Sequence, residues 1–103
     1  MLLENAFRKC GNLNKISYHF ENEAEAVSAF IIIGNSAFQD CTALKNLDFL
    51  IRVYSIGSRA FYGCNSIEGI LKLPTTVGKL GNEVFSSPLI TGAYIQRYVS
   101  GSI

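Results

Sequence analysis

The chain has 103 residues, a mass of 11.3 kDa and a formal net charge of +1 at pH 7, from nine Lys+Arg and eight Asp+Glu. That length holds one hydrophobic core, and so even a balance excludes electrostatics as the main drive toward nucleic acid or an anionic membrane. Hydrophobic residues make up 49% and charged residues 17%, which excludes a disordered tail and permits a compact, turn-rich domain.

The chain opens on Met1–Lys9, where Glu4 comes early and no long apolar stretch follows, so this segment does not read as a signal peptide. The longest apolar run, Ala29–Ile33, is far short of the roughly 20 residues of a spanning helix, and no membrane insertion is expected. The first unit, residues 2–32, carries Leu2, then Ala6-Phe7-Arg8-Lys9-Cys10, then Leu13 and Ile16, with a strand predicted over Ile16–Phe20. His19–Phe30 holds Glu21, Glu23 and Glu25 between apolar ends and reads as an acidic bulge or a short extra helix. The second unit, 33–55, repeats the order: Ile33-Gly34, Ala37-Phe38-Gln39-Asp40-Cys41, Leu44, Leu47, and a strand predicted over Leu47–Ile51. The third, 56–79, runs Ile56-Gly57, Ala60-Phe61-Tyr62-Gly63-Cys64, Ile67, Ile70, and a strand predicted over Ile70–Leu73 with a bulge near Leu71-Lys72. Pro74 marks its end. The fourth, 80–103, is degenerate. Leu80-Gly81 and Val84-Phe85 persist, Pro88 stands where Cys is expected, and Tyr94–Val99 reads as a strand of a capping unit.

The repeated Phe residues lie 31, 23 and 24 positions apart. A unit of that size cannot bury its apolar face alone, so identical units must stack, Phe on Phe and Ile on Ile, with parallel strands about 4.8 Å apart. Asn35-Ser36, Ser58 and Asn82 supply capping side chains just after each Gly. The glycines themselves take a conformation closed to other residues or allow close approach of the next level. The consensus Ile/Leu-Gly-x-x-Ala/Val-Phe-x-x-Cys-x-x-Leu-x-x-Ile resembles the BspA-type leucine-rich repeat. The resemblance runs from about Leu2 to Phe85 and is strongest over 33–80. It implies a single leucine-rich-repeat domain, a right-handed α/β solenoid of about four coils. Short parallel strands would form one face and short helical turns the other. It also implies a non-catalytic adhesion module like those of bacterial and protist surface or secreted proteins, with a host or other cell-surface protein or glycan as partner.

Cys10, Cys41 and Cys64 occupy one repeat position. An odd count without Cys-x-x-Cys, on side chains that point in parallel, predicts a row of free, unreactive thiols rather than disulfides or a zinc site. The Phe set, Phe7, Phe38, Phe61 and Phe85, is expected in the core. His19, the single histidine, reads as an outward strand residue, and no catalytic triad or phosphate loop is present. No enzyme activity, cofactor or metal is expected. The remaining candidate surface is the strand face. It comprises Lys15, Ser17 and His19, then Asn46, Asp48 and Leu50, then Gly69 and Leu71 with Lys72 at the bulge. Tyr54, Tyr62, Tyr94 and Tyr98 are further aromatic anchors. The apolar start at Leu2-Leu3 fits either a chain cut from a longer array or an end covered by a second copy, and the latter adds a second expectation, a homodimer through exposed ends of the stack.

Overall fold

The computed structural model describes residues 4–16 and 31–95. Within them the elements are β1 (Ile31–Ile33), a 3-10 helix η1 (Asp48–Arg52), β2 (Val53–Ile56), β3 (Gly69–Leu73), β4 (Lys79–Leu80) and β5 (Ile90–Ile95). All strand pairing is parallel. One sheet runs in the order β1-β2-β4 and the other pairs β3 with β5. Ile33 pairs with Ile56, and Ile56 with Leu80, so the apolar residue that opens each unit sits directly on its counterpart.

The Ala-Phe segments form a third wall, and the rings stack as the spacing predicts. Phe7, Phe38, Phe61 and Phe85 make one ladder, with successive centroids 5.3, 5.3 and 5.1 Å apart and ring planes within 7°. Phe38 and Phe61 are wholly buried, while Phe7, stacked on Phe38, keeps 38% of its surface exposed. Core status therefore holds for the three later rings and only in part for Phe7.

The short helical turns expected on this wall are tight turns instead. Here N–H groups alternate between two partners. Phe38 donates to the Ala60 carbonyl of the next level at 2.8 Å, whereas Gln39 reaches back three residues to Ser36 at 3.1 Å. The same alternation recurs at Phe7 and Arg8, and at Phe61 and Tyr62. It requires left-handed backbone at two places per unit. Asn5, Ser36, Arg59 and Glu83 lie at φ of 59, 57, 57 and 52°, and Lys9, Asp40 and Gly63 at 62, 61 and 79°. Each non-glycine residue there costs on the order of 1–2 kcal/mol, which the inter-level bonds must offset. Polar side chains bridge levels in the same way. The Ser58 N–H donates to Asn35 Oδ1 at 2.8 Å, and the Asn82 N–H to Ser58 Oγ at 3.0 Å. Of the capping residues named in the sequence, Asn35 and Ser58 thus bind the following level rather than a helix.

Close approach accounts for Gly57 and Gly81. A Cβ on Gly57 would lie 2.5 Å from the Asn35 nitrogen, and one on Gly81 2.3 Å from the Ser58 nitrogen. Neither glycine has a positive φ, so space is the constraint.

Two strand expectations are corrected. Leu47–Ile51 is not a strand, because η1 occupies Asp48–Arg52. Phe49 and Leu50 are consecutive and both buried, at 5% and 2% exposure. A strand sends neighbours to opposite faces, and with only one face against the core the tighter 3-10 turn is what brings both inward here. The Phe49 ring thereby reaches the ladder, 5.7 Å from Phe38 and 6.0 Å from Phe61. Asn46 starts the turn by accepting the Asp48 N–H at 2.8 Å. Of the last expected strand, β5 covers Tyr94 and Ile95 but begins earlier, at Ile90. The remainder of Tyr94–Val99 lies outside the described residues, as do Ser17–Phe20 of the first strand and all of the His19–Phe30 segment.

Candidate binding surface

The surface starts from two elements that occupy one repeat position and differ in kind, η1 in the second unit and β3 in the third. Gly69, at φ +81°, sets the phase of β3. From there Leu71 and Leu73 turn inward, at 4% and 2% exposure, while Ile70 and Lys72 turn outward. The parallel register places Gly92 beside Ile70 and Tyr94 beside Lys72. Where η1 meets β3 a groove of about 190 Å³ opens. Leu47, Leu50 and Leu73 form its apolar floor, and the exposed Asp48, Ile51 and Lys72 its rims.

Against the residues expected from the sequence, Lys15, Asn46, Asp48 and Lys72 are exposed. Asp48 and Lys72 both line the groove. Leu50 is a correction. The helix that buries Phe49 takes Leu50 inward with it, so it floors the groove and offers no outer surface. Leu71 is corrected for the same reason of phase. Ser17 and His19 lie outside the described residues, as does Tyr98. The sequence reading missed Ile51 and Ile70, each 64% exposed, the most exposed large apolar side chains described. Ile70 holds a repeat position that reads as core. The available signal was Leu71-Lys72-Leu73, whose alternation around a lysine fixes the opposite phase. Tyr94 is 55% exposed beside them, whereas Tyr54 is half-buried and Tyr62 lies on the turn wall under Arg59, whose guanidinium carbon is 5.3 Å from the ring centre.

The thiols serve the stack. The Cys41 thiol donates to the Phe7 carbonyl and the Cys64 thiol to the Phe38 carbonyl, both at 3.0 Å. Burial pushes the Cys64 thiol up to about 12, and Cys41 is raised for the same cause. Both are fully buried, and a protonated, inaccessible thiol is a poor nucleophile. Cys10 is half-buried, and all three cysteines are free. Arg59 and Glu83 form an exposed ion pair at 3.1 Å, worth little at the surface. Among the described residues no three His, Cys, Asp or Glu side chains converge as metal ligands, and no helix is long and apolar enough to cross a membrane.

A family model described as "BspA type Leucine rich repeat region (6 copies)" matches residues 2–100. The chain belongs to the BspA-type leucine-rich repeat family. No curated protein and no solved structure matches it. BspA-type repeats are generally non-catalytic modules and often occur in surface proteins. In this BspA-type chain the recurring Gly, Phe and Cys have structural work, in close approach, ring stacking and thiol donation between levels. The residues between them, at η1, β3 and β5, do not follow the repeat.

Proposed function

We propose that this BspA-type chain forms a right-handed solenoid of about four levels and acts as a non-catalytic binding module of an adhesion-type surface or secreted protein. Its partner is another protein, engaged at the groove between η1 and β3. The observation that carries the reading is the 64% exposure of Ile51, which lines the groove with Lys72, and of Ile70, two residues before Lys72 on the same outward face of β3. Large apolar side chains held outward around a charged residue are the composition of an anchor site. Asp48 and Lys72 on the rims supply one charge of each sign, which orients a partner without selecting for net charge. A glycan partner would call for aromatic stacking, and the groove itself has no aromatic lining residue.

The test is a binding screen of the 103-residue chain against immobilised matrix proteins and a glycan array, with Ile51→Glu and Lys72→Glu beside it. Saturable protein binding that both variants weaken at unchanged melting is expected. Binding that both variants leave intact, or binding to glycans alone, refutes it. Self-association is the second reading, and the exposure of β5 favours it.

A further inference from the structure

We propose that a second copy of this chain pairs with β5, edge to edge and antiparallel, about a two-fold axis at Ala93. This deepens the self-association reading by naming strand and symmetry, and the binding-module reading does not depend on it.

Among the described residues β5 pairs only with β3. Its six residues make it the longest strand described, and Thr91, Ala93 and Tyr94 are all exposed. Ala93 and Tyr94 point to opposite faces, so exposure of both marks an edge open from either side. Soluble proteins guard such edges with charge, an internal proline or a bulge that twists the edge away. From Val84 to Gln96 no residue is charged, and within Ile90–Ile95 there is no proline. The one register shift of the β3–β5 pair puts an extra residue, Thr91, in β5, where Gly69 and Ile70 pair with Ile90 and Gly92; from Gly92 to Ile95 the pairing is regular, so the stretch around Ala93 carries no bulge.

Three observations select a second copy as the occupant. A parallel neighbour needs a crossover of roughly a dozen residues or more, whereas an antiparallel strand of another molecule needs none. An uncharged strand opposed to itself sets no like charges together. The third is shape. Directly opposed residues must share a face, so the axis has to pass through a residue position rather than between two. With the axis at Ala93, Gly92 of one copy lies opposite the partner's Tyr94, and the reverse holds across the axis. Nothing lies within 4 Å of where a Gly92 side chain would begin, and Tyr94, on the same face, is 55% exposed. The ring of each copy thus covers the open glycine of the other, an aromatic–glycine cross-strand pair repeated twice by the symmetry.

Sedimentation velocity of the full chain tests this, from roughly 10 µM to roughly 1 mM, since a single strand edge buries too little area for tight association. A concentration-dependent monomer–dimer equilibrium is expected. Ala93→Lys, which opposes two lysines on the axis, should weaken dimerisation at least about tenfold at unchanged melting. Ala93→Cys should give a disulfide-linked dimer under mild oxidation that wild type does not give, because directly opposed Cα atoms sit roughly 4.5–5.5 Å apart. A chain that stays monomeric throughout overturns both this site and self-association. A dimer that Ala93→Lys leaves intact overturns the β5 site and keeps self-association. Ile51→Glu, which impairs the groove, should leave the dimer unchanged.

Discussion

Replacing Gly57 by alanine tests the stacked geometry most directly. The added methyl carbon would lie 2.5 Å from the Asn35 nitrogen, 2.6 Å from Asn35 Oδ1 and 2.6 Å from the Gly34 carbonyl carbon, where ordinary contact begins at 3.4 Å. Relief requires the two levels to part by 0.9 Å, the difference between 3.4 and 2.5 Å. Hydrogen bonds on both sides resist it: Gly57 N–H to the Ile33 carbonyl at 2.8 Å, Ser58 N–H to Asn35 Oδ1 at 2.8 Å, and Ser36 N–H to the Ser58 carbonyl at 2.9 Å. Overpacking of this kind costs about 1–3 kcal/mol, and weakening two such bonds adds about 1 kcal/mol each, so we expect a loss of about 3–5 kcal/mol. The same substitution at Gly92 meets nothing within 4 Å at a φ open to other residues. It should be neutral or stabilise by up to about 1 kcal/mol through the unfolded state. Urea melts of both variants at low protein concentration decide the matter. A Gly57→Ala variant within about 0.5 kcal/mol of wild type would refute the close approach of levels.

Phe61→Ala should cost about 3–5 kcal/mol, since the ring is wholly buried, stacked on two neighbours and edged by Phe49. Phe7→Ala, stacked on one side and 38% exposed, should cost markedly less in the same urea melts. Cys64 supplies a pH signature. Its folded value of about 12 stands above the ordinary 9.0, so between these the unfolded chain sheds a proton that the folded chain keeps. Stability contributed by this thiol is complete below pH 9.0 and falls as pH rises toward 12, with a slope of up to about 1.4 kcal/mol per pH unit. The Cys64→Ser variant should lose that slope when melts are compared across this range. At pH 8 a thiol reagent should label Cys10 in the folded chain and all three cysteines only in urea.

What the sequence showed best was whatever repeats. Ile33, Ile56 and Leu80 pair directly, the Phe rings stack, and the Gly positions are close contacts, because stacking converts a sequence period into a spatial one. What it showed poorly was the stretch between Cys and the next Gly, where levels are free to differ. At Phe49-Leu50 two adjacent apolar residues override strand alternation. At Gly69 a left-handed residue resets which side chains face out, and so Ile70 rather than Leu71 reaches the surface. Repeat equivalence assigned both positions by analogy with their neighbours, and local phase won. The candidate surface was legible in Asp48 and Lys72 and missed in Ile51, since an outward isoleucine carries no polarity to announce it.

Along the Ala-Phe wall the backbone N–H groups that reach another level donate forward, while the strand ends and the thiols return bonds the other way, as from the Gly57 and Gly81 N–H groups to the Ile33 and Ile56 carbonyls. Asn5, Phe7 and Lys9 give their hydrogens to the second level, Ser36, Phe38 and Asp40 to the third, and Arg59 and Phe61 to the fourth. Such a structure has a sense, like a zip fastener. A unit duplicated in tandem joins it head to tail with donors already facing acceptors, while an inverted unit would set carbonyl against carbonyl. Gene duplication yields only the compatible orientation, so proteins built this way can lengthen or shorten by whole units without inventing a new interface.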